Sequence, residues 1–326
     1  MANLIRSIGY SLGKVHSGMI NYLCEMYREG NREPLESFLG FLGIKVPSNP
    51  IPRREWNSVD LAILEGSEND QGVPAILVEV KVDDFESGSS QDGYQTVRYA
   101  ARWPSCQAYL FITLGKGEYY HPPRSDRFTW VRIRQFKKAI EVIKTNDCTI
   151  ADWLDEVRRE ILLQDNVLIA DKSHEGEYRG GTWNIYLFGH LAEILKPLFA
   201  DENIDVEMTC YTYGSGPDTI FNFGWRRKPL YMEINYSGRL NLKISLDAAI
   251  EAERIEQEID KCQKLPFAIS PKFHRGGKIG SSKTFASFDV GLINKDGYLE
   301  CQPSIENTKQ KIFSVVSTFY GNKATV

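Results

Sequence analysis

The sequence predicts an α/β fold, with a core that runs helix, strands, helix, strand in its first half and an α+β extension or domain in its second. Three observations predict it. Two apolar runs, 58–64 and 75–82, alternate with a period of two; a helical stretch at 91–103 separates them from a third, almost unbroken apolar run at 106–114. Beyond a loop around 171–181 the pattern changes to a succession of short strands. The length of 326 residues, 42% of them hydrophobic and 25% charged, suits two folded parts, expected at 1–170 and 175–326.

Residues 4–27 carry apolar side chains at Val15, Met19, Ile20, Leu23 and Met26, a spacing that predicts one helix with a buried face. A second, short helix follows. Pro34 suits its first turn, Glu36 lies early in it, and Gly43 after Phe38, Leu39, Phe41 and Leu42 supplies a stop. The proline-rich passage 46–52 predicts an extended connection. In 58–64, Val59, Leu61 and Ile63 point one way and Asp60, Ala62 and Leu64 the other. After a polar loop at 65–74, the run 75–82 places Ile76, Val78, Val80 and Val82 on one face and Leu77, Glu79 and Lys81 on the opposite one. A hairpin with Leu64 opposite Ala75 sets Asp60 across from Glu79, with Cβ atoms about 5 Å apart. A two-residue slip would leave them diagonal neighbours within reach of a shared cation, whereas a one-residue slip would bury the charges and is disfavoured.

The helix expected at 91–103 has Tyr94, Val97 and Ala101 as its packing stripe, with Gln95 and Tyr99 four apart on an adjacent face. The run 106–114 reads as a central strand covered on both sides. A strand at 128–134 and helices at 135–144 and 149–164 follow, the last with a Thr149/Asp152 capping signal. In the second half we expect a helix at 183–199 and strands at 205–213, 219–225, 230–236 and 240–244. A charged helix at 246–263, a hairpin at 284–301 and a final helix at 304–319 complete the chain.

The net charge of -4 excludes a partner held by bulk positive charge, so a nucleic acid would need a local basic groove. The six cysteines, at 24, 106, 148, 210, 262 and 301, lack zinc spacing and read as reduced core residues. No secretory signal and no run near the roughly 18–20 apolar residues of a membrane span occurs, which predicts a cytoplasmic protein without a membrane partner. Self-association is left open.

The chemistry lies in the acidic strands. Phosphodiester hydrolysis needs charge neutralisation and an activated water, and hard divalent cations that supply both bind oxygen ligands. Asp60 and Glu79 offer two carboxylates, the Val80 carbonyl a third oxygen, and Lys81 an ammonium to orient water or offset transition-state charge. Mg2+ or Mn2+ is the expected cofactor.

These residues, Val59-Asp60-Leu61 and Val78-Glu79-Val80-Lys81, resemble the motif of the PD-(D/E)XK nuclease superfamily, whose restriction-endonuclease-like core runs helix, three strands, helix, strand. Gln95 and Tyr99 resemble the QxxxY element of its RecB-like branch, which sets a glutamine and a tyrosine beside the metal and the substrate strand. Val15-His16-Ser17 with Leu23 looks like the His-Ser helix of a bacterial nuclease-like family in that superfamily. The resemblance spans roughly residues 10–165. It implies a metal-dependent hydrolase of nucleic acid, DNA favoured over RNA, with catalytic Asp60, Glu79, Lys81, Gln95 and Tyr99, and a role in bacterial or phage defence. The alternatives are an RNA-cleaving enzyme and a non-catalytic nucleic-acid-binding or assembly protein that keeps the fold.

Further candidates have two readings each. The resemblance makes His16 and Glu36 metal ligands beside Asp60, Glu79 and Val80; the plain readings are a hydrogen-bonded core histidine and a favourable charge near a helix start. Asp83 and Asp84 lie near enough in sequence to approach the cation. Arg98 and Arg102 either reach phosphate or face solvent. Lys272, His274, Arg275, Lys278 and Lys283 among glycines form either a phosphate grip or a solvated loop, and Arg226, Arg227 and Lys228 either a strand turn or a phosphate contact. Tyr211, Tyr213, Phe221, Phe223, Trp225 and Tyr231 read as core aromatics before base-stacking ones.

Overall fold

The period-two runs become the middle of a five-stranded mixed sheet in the computed structural model of the protein. The structure describes residues 3–66, 73–84, 86–89, 93–119 and 122–167, and beyond these the backbone of six strands between 207 and 289 with a few isolated positions. The chain divides into two units, Met1–Asp165 and Asn166–Val326.

The first unit opens with two helices, α1 (Leu4–Ile8) and α2 (Gly13–Arg28), where one was expected. Gly9, at φ 117°, breaks the run, because this backbone conformation suits glycine alone. Asn3 caps α1 by accepting from the Arg6 N–H, and Asp152 accepts from that of Leu4. In α3 (Glu33–Phe41) Pro34 occupies the first turn as expected, and Gly43 follows in the left-handed conformation at φ 74°.

The proline passage conceals a strand. β1 (Pro50–Trp56) pairs antiparallel with β2 (Val59–Glu65), and it tolerates Pro50 and Pro52 because it lies at the sheet edge, where one row of backbone groups faces away from the ladder. Trp56 pairs with Val59 across Asn57 and Ser58, at φ 51° and 72°, the two left-handed residues that a tight primed hairpin turn requires. β2 pairs antiparallel with β3 (Pro74–Lys81) in the expected inner register, Leu61 against Val78 and Ile63 against Ile76. A shift between Ile63 and Leu64 sets Leu64 against Pro74 rather than Ala75.

A two-residue ladder, β4 (Gly88–Ser89) with β5 (Gly93–Tyr94), leads into α4 (Gln95–Arg102). The expected packing stripe of α4 is corrected: Val97 and Ala101 face solvent and Tyr94 is half-buried, while Gln95, Thr96, Tyr99 and Ala100 are buried. β6 (Ala108–Thr113) then runs parallel to β3 and β7 (Thr129–Arg132) parallel to β6, giving the order β1-β2-β3-β6-β7. α5 (Ile133–Glu141) and α6 (Cys148–Asn166) follow. Asp147, not Thr149, caps α6, accepting from the N–H groups of Thr149 and Ile150.

Parity sorts the sheet into two faces. Leu61, Ile63, Ile76, Val78, Val80, Leu110 and Ile112 join Ile20, Leu23, Phe38, Phe136 and Trp153 in one core. Ala62, Leu64, Leu77, Tyr109 and Phe111 join Tyr99, Ala100 and Trp103 in the other. β6 is thus buried on both sides, as its unbroken apolar run requires.

The second unit holds a six-stranded antiparallel sheet made of β8 (Glu207–Tyr213), β9 (Ile220–Arg227), β10 (Leu230–Ile234), β11 (Arg239–Ile244), β12 (Ser270–Pro271) and β13 (Lys283–Asp289). Its order is β12-β13-β11-β10-β9-β8. β13 pairs with β11 and β12 at Ala286 and Ser287, so at those residues it has no flank left for the hairpin expected within 284–301. The helices expected at 183–199, 246–263 and 304–319 lie, isolated positions apart, outside the described residues, as does the basic run from Lys272 to Lys278. The side chains of the second-unit aromatics lie outside them too.

Candidate functional site

The register that buries Leu61 against Val78 carries Asp60 and Glu79 to the face covered by α4. The β2–β3 ladder ends at that pair. The next β3 N–H due to face β2, that of Val80, is taken by the Asp60 side chain, with Oδ2 accepting at 2.8 Å. Continuing the register by one residue sets Asp60 opposite Glu79, as the alternation predicts.

Glu79 is 1% exposed. Its Oε1 accepts from Lys81 Nζ at 2.8 Å, whereas Oε2 is buried without a well-formed hydrogen bond, although the Asp60 N–H lies near enough to act on the carboxyl. Such an orphaned oxygen costs about 1–3 kcal/mol, more when charged. Burial pushes the Glu79 carboxyl up to about 7, with the Asp60 charge adding to the rise and Lys81 opposing it. Burial also raises Asp60, against the pull of the Val80 N–H and of Lys81. For Lys81, burial works to lower the ammonium; the attraction and hydrogen bond of Glu79, with help from Asp60 and Asp84, override it and hold it above its ordinary value.

α4 presents its polar pair to this cluster. Gln95 Nε2 donates to the Tyr99 hydroxyl at 2.8 Å, Ser87 donates to Gln95 Oε1 at 3.1 Å, and the Tyr99 hydroxyl donates to the Ser58 carbonyl. Burial raises the Tyr99 phenol against the Gln95 hydrogen bond, and the charge of Glu79 adds to the rise. The buried carboxylate of Glu86 positions the helix, accepting from the Thr96 N–H at 2.7 Å and from the Arg124 N–H at 3.0 Å.

Two expected ligands fall away. His16 is fully buried, with Nε2 2.8 Å from the Tyr10 carbonyl and Nδ1 accepting from Trp153 Nε1 at 3.1 Å, so both ring nitrogens are committed inside the core. Glu36 stands on the exposed face of α3, whose inward positions are taken by Leu35, Phe38 and Leu39. Among the described residues no three His, Cys, Asp or Glu side chains converge as a metal cage. Asp83 Oδ1 accepts from the Lys116 N–H instead. The Val80 carbonyl lies close to the start of α2, where a Cβ on Gly13 would stand 3.1 Å from its oxygen.

Two acids escaped the sequence reading. Glu55, paired with Lys14, acts on Asp60 through its charge and falls opposite it in the β1–β2 register; finding it needed the strand hidden by prolines. Glu118 is buried in the 3-10 helix Gly115–Tyr119 and accepts from Arg132, Thr113 and the Ile133 N–H. Burial pushes it up to about 7 despite Arg132. Its only signal was a lone glutamate after an apolar strand.

No protein-family model, curated protein or solved structure matches this chain. No helix among the described residues is long and apolar enough to cross a membrane.

Proposed function

We propose that the chain is a metal-dependent nuclease of the PD-(D/E)XK kind that hydrolyses phosphodiester bonds, DNA in preference to RNA. The observation that carries the reading is the orphaned Glu79 Oε2, buried beside Asp60 and Lys81. A buried carboxylate oxygen without a well-formed hydrogen bond suits a hard cation, and the Asp60 carboxylate sets further oxygens beside it. The order helix, three strands, helix, strand and the Gln95–Tyr99 pair on the same sheet face support the restriction-endonuclease-like core.

Asp60, Glu79 Oε2 and the Val80 carbonyl would hold Mg2+ or Mn2+, which when bound neutralises the phosphate and lowers the pKa of water. Lys81, kept protonated by Glu79, offsets charge on the phosphoryl oxygens. Tyr99 and Gln95 fix the turn that precedes Asp60. Water oxygen bonds to phosphorus and gives up a proton, the bond from phosphorus to the leaving sugar oxygen breaks, and that oxygen takes up a proton.

One observation favours the non-catalytic alternative: Lys81 closes on Glu79 itself, and no third acid converges among the described residues. A cleavage assay decides between them. The purified full chain with Mg2+ or Mn2+ should cut DNA, EDTA should stop it, and Glu79→Ala and Lys81→Ala should each abolish cutting while leaving the unfolding transition in place. Undiminished cleavage by these variants refutes the site, and faster cutting of RNA than of DNA reverses the substrate.

A further inference from the structure

At the turn end of the β1–β2 hairpin a cavity of about 670 Å³ opens between Arg53, Arg54, Trp56, Asn57, Arg102 and Trp103. This volume falls within the range of small-ligand sites. Trp56 is half-buried and Trp103 is 8% exposed, with ring centroids 5.0 Å apart and planes inclined by 34°. Trp103 therefore backs Trp56. The Arg102 guanidinium lies 4.6 Å over the Trp103 ring and donates through Nη2 to Asn57 Oδ1 at 3.0 Å, which fixes its fork at the cavity wall. Arg54 is tied at one nitrogen to the Lys14 carbonyl. Among the described residues that line the cavity three are arginines and one, Glu55, is an acid, itself paired with Lys14.

The backbone here is strained in a way no glycine relieves: Glu55, Asn57 and Ser58 all have positive φ. Tyr99 secures the turn through the Ser58 carbonyl, and Asp60 follows two residues later. The aromatic-cationic cavity and Asp60 therefore share one hairpin, and α4, which supplies Arg102 to the cavity, covers the sheet face of Asp60 and Glu79.

We infer that this cavity is a nucleotide subsite, in which Trp56 stacks an unpaired base and Arg53, Arg54 and Arg102 hold its backbone phosphates. An aromatic face accepts a base only when that base has left its own stack, so the substrate class is single-stranded nucleic acid, or the single-stranded part of a longer molecule. This rests on the nuclease reading for its direction, since the strand held here leads toward Asp60 and Glu79.

The test measures binding apart from cleavage. Anisotropy of a fluorescein-labelled oligothymidylate is titrated with the full chain in EDTA at low salt, beside a blunt duplex of equal length and thymidine monophosphate. Binding should favour the single strand over both competitors. Trp56→Ala and Arg102→Ala should each weaken it roughly 5-fold to 100-fold, and Trp56→Phe should restore most of it. Arg102 is exposed, so its variant reports even if Trp56→Ala misfolds. Wild-type affinity in Arg102→Ala, equal affinity for the duplex, or mononucleotide binding as tight as that of the oligomer would each overturn the subsite. Glu79→Ala should bind at least as tightly as wild type; if it also still cuts, the nuclease reading fails while the binding result stands.

Discussion

At Glu79 one side chain meets two opposed demands: Lys81 holds one of its oxygens as an anion, and burial with Asp60 nearby favours the protonated form. With the carboxyl at about 7 in the folded protein against an ordinary 4.5 when unfolded, the folded state binds the proton more tightly. The resulting stability is full below the unfolded value and is lost as pH rises through about 7. In EDTA the melting temperature should therefore fall across that window. Glu118, raised to the same value, contributes a slope of the same sign. Glu79→Gln should flatten the curve in part and leave the Glu118 share. A Glu79→Gln melting curve that tracks the wild-type pH dependence point for point would contradict the assignment. Much at this scale was legible: Asp60, Glu79 and Lys81 are marked by charged residues at fixed parity in apolar strands. For His16 the sequence left two readings open, ligand or hydrogen-bonded core residue, and could not decide between them because one partner, Trp153, meets it only through the tertiary fold.

Among the elements, β3 is the one on which the site turns, and its far end is packed backbone to backbone. A Cβ on Gly117 would stand 2.6 Å from the Lys81 carbonyl oxygen and 3.2 Å from that of Val82. Gly117→Ala should push the 3-10 helix off the strand, lowering stability by about 1–3 kcal/mol and reducing turnover, since Lys81 shifts with its carbonyl. Denaturant titration together with an activity assay reads both, and wild-type values in the two would show that the contact yields freely. The inner register of β2 and β3 was legible because slipping by one residue exchanges a buried face for a charged one. The inward stripe of α4 was not: apolar periodicity picks Val97 and Ala101, whereas the buried face carries Gln95 and Thr96, held by Ser87 and Glu86. Proline at 50 and 52 likewise concealed β1, since edge strands admit what central ones exclude.

For the whole molecule, a net charge of -4 and an arginine-lined cavity have to be reconciled. General attraction to phosphate is absent, so any grip on a polyanion is local and made of few contacts. The logarithm of affinity for a single strand should then fall with the logarithm of salt with a slope of only about 0.7 per contacted phosphate, and Arg102→Ala should reduce that slope by about one such step. An unchanged slope in the variant would place the phosphates elsewhere, with the basic residues of the second unit next to be tried.

The hydrogen bond from Val80 to Asp60 bears on how this molecule could be traced through descent. Where the sheet forks, an oxygen from position 60 completes the main chain whether or not anything is cut. A descendant that abandoned hydrolysis would still need an acceptor there, and asparagine would serve. An acceptor at the fork in a distant sequence therefore testifies to architecture alone, whereas an acid kept there with glutamate at 79 and lysine at 81 is what the proposed hydrolysis would require.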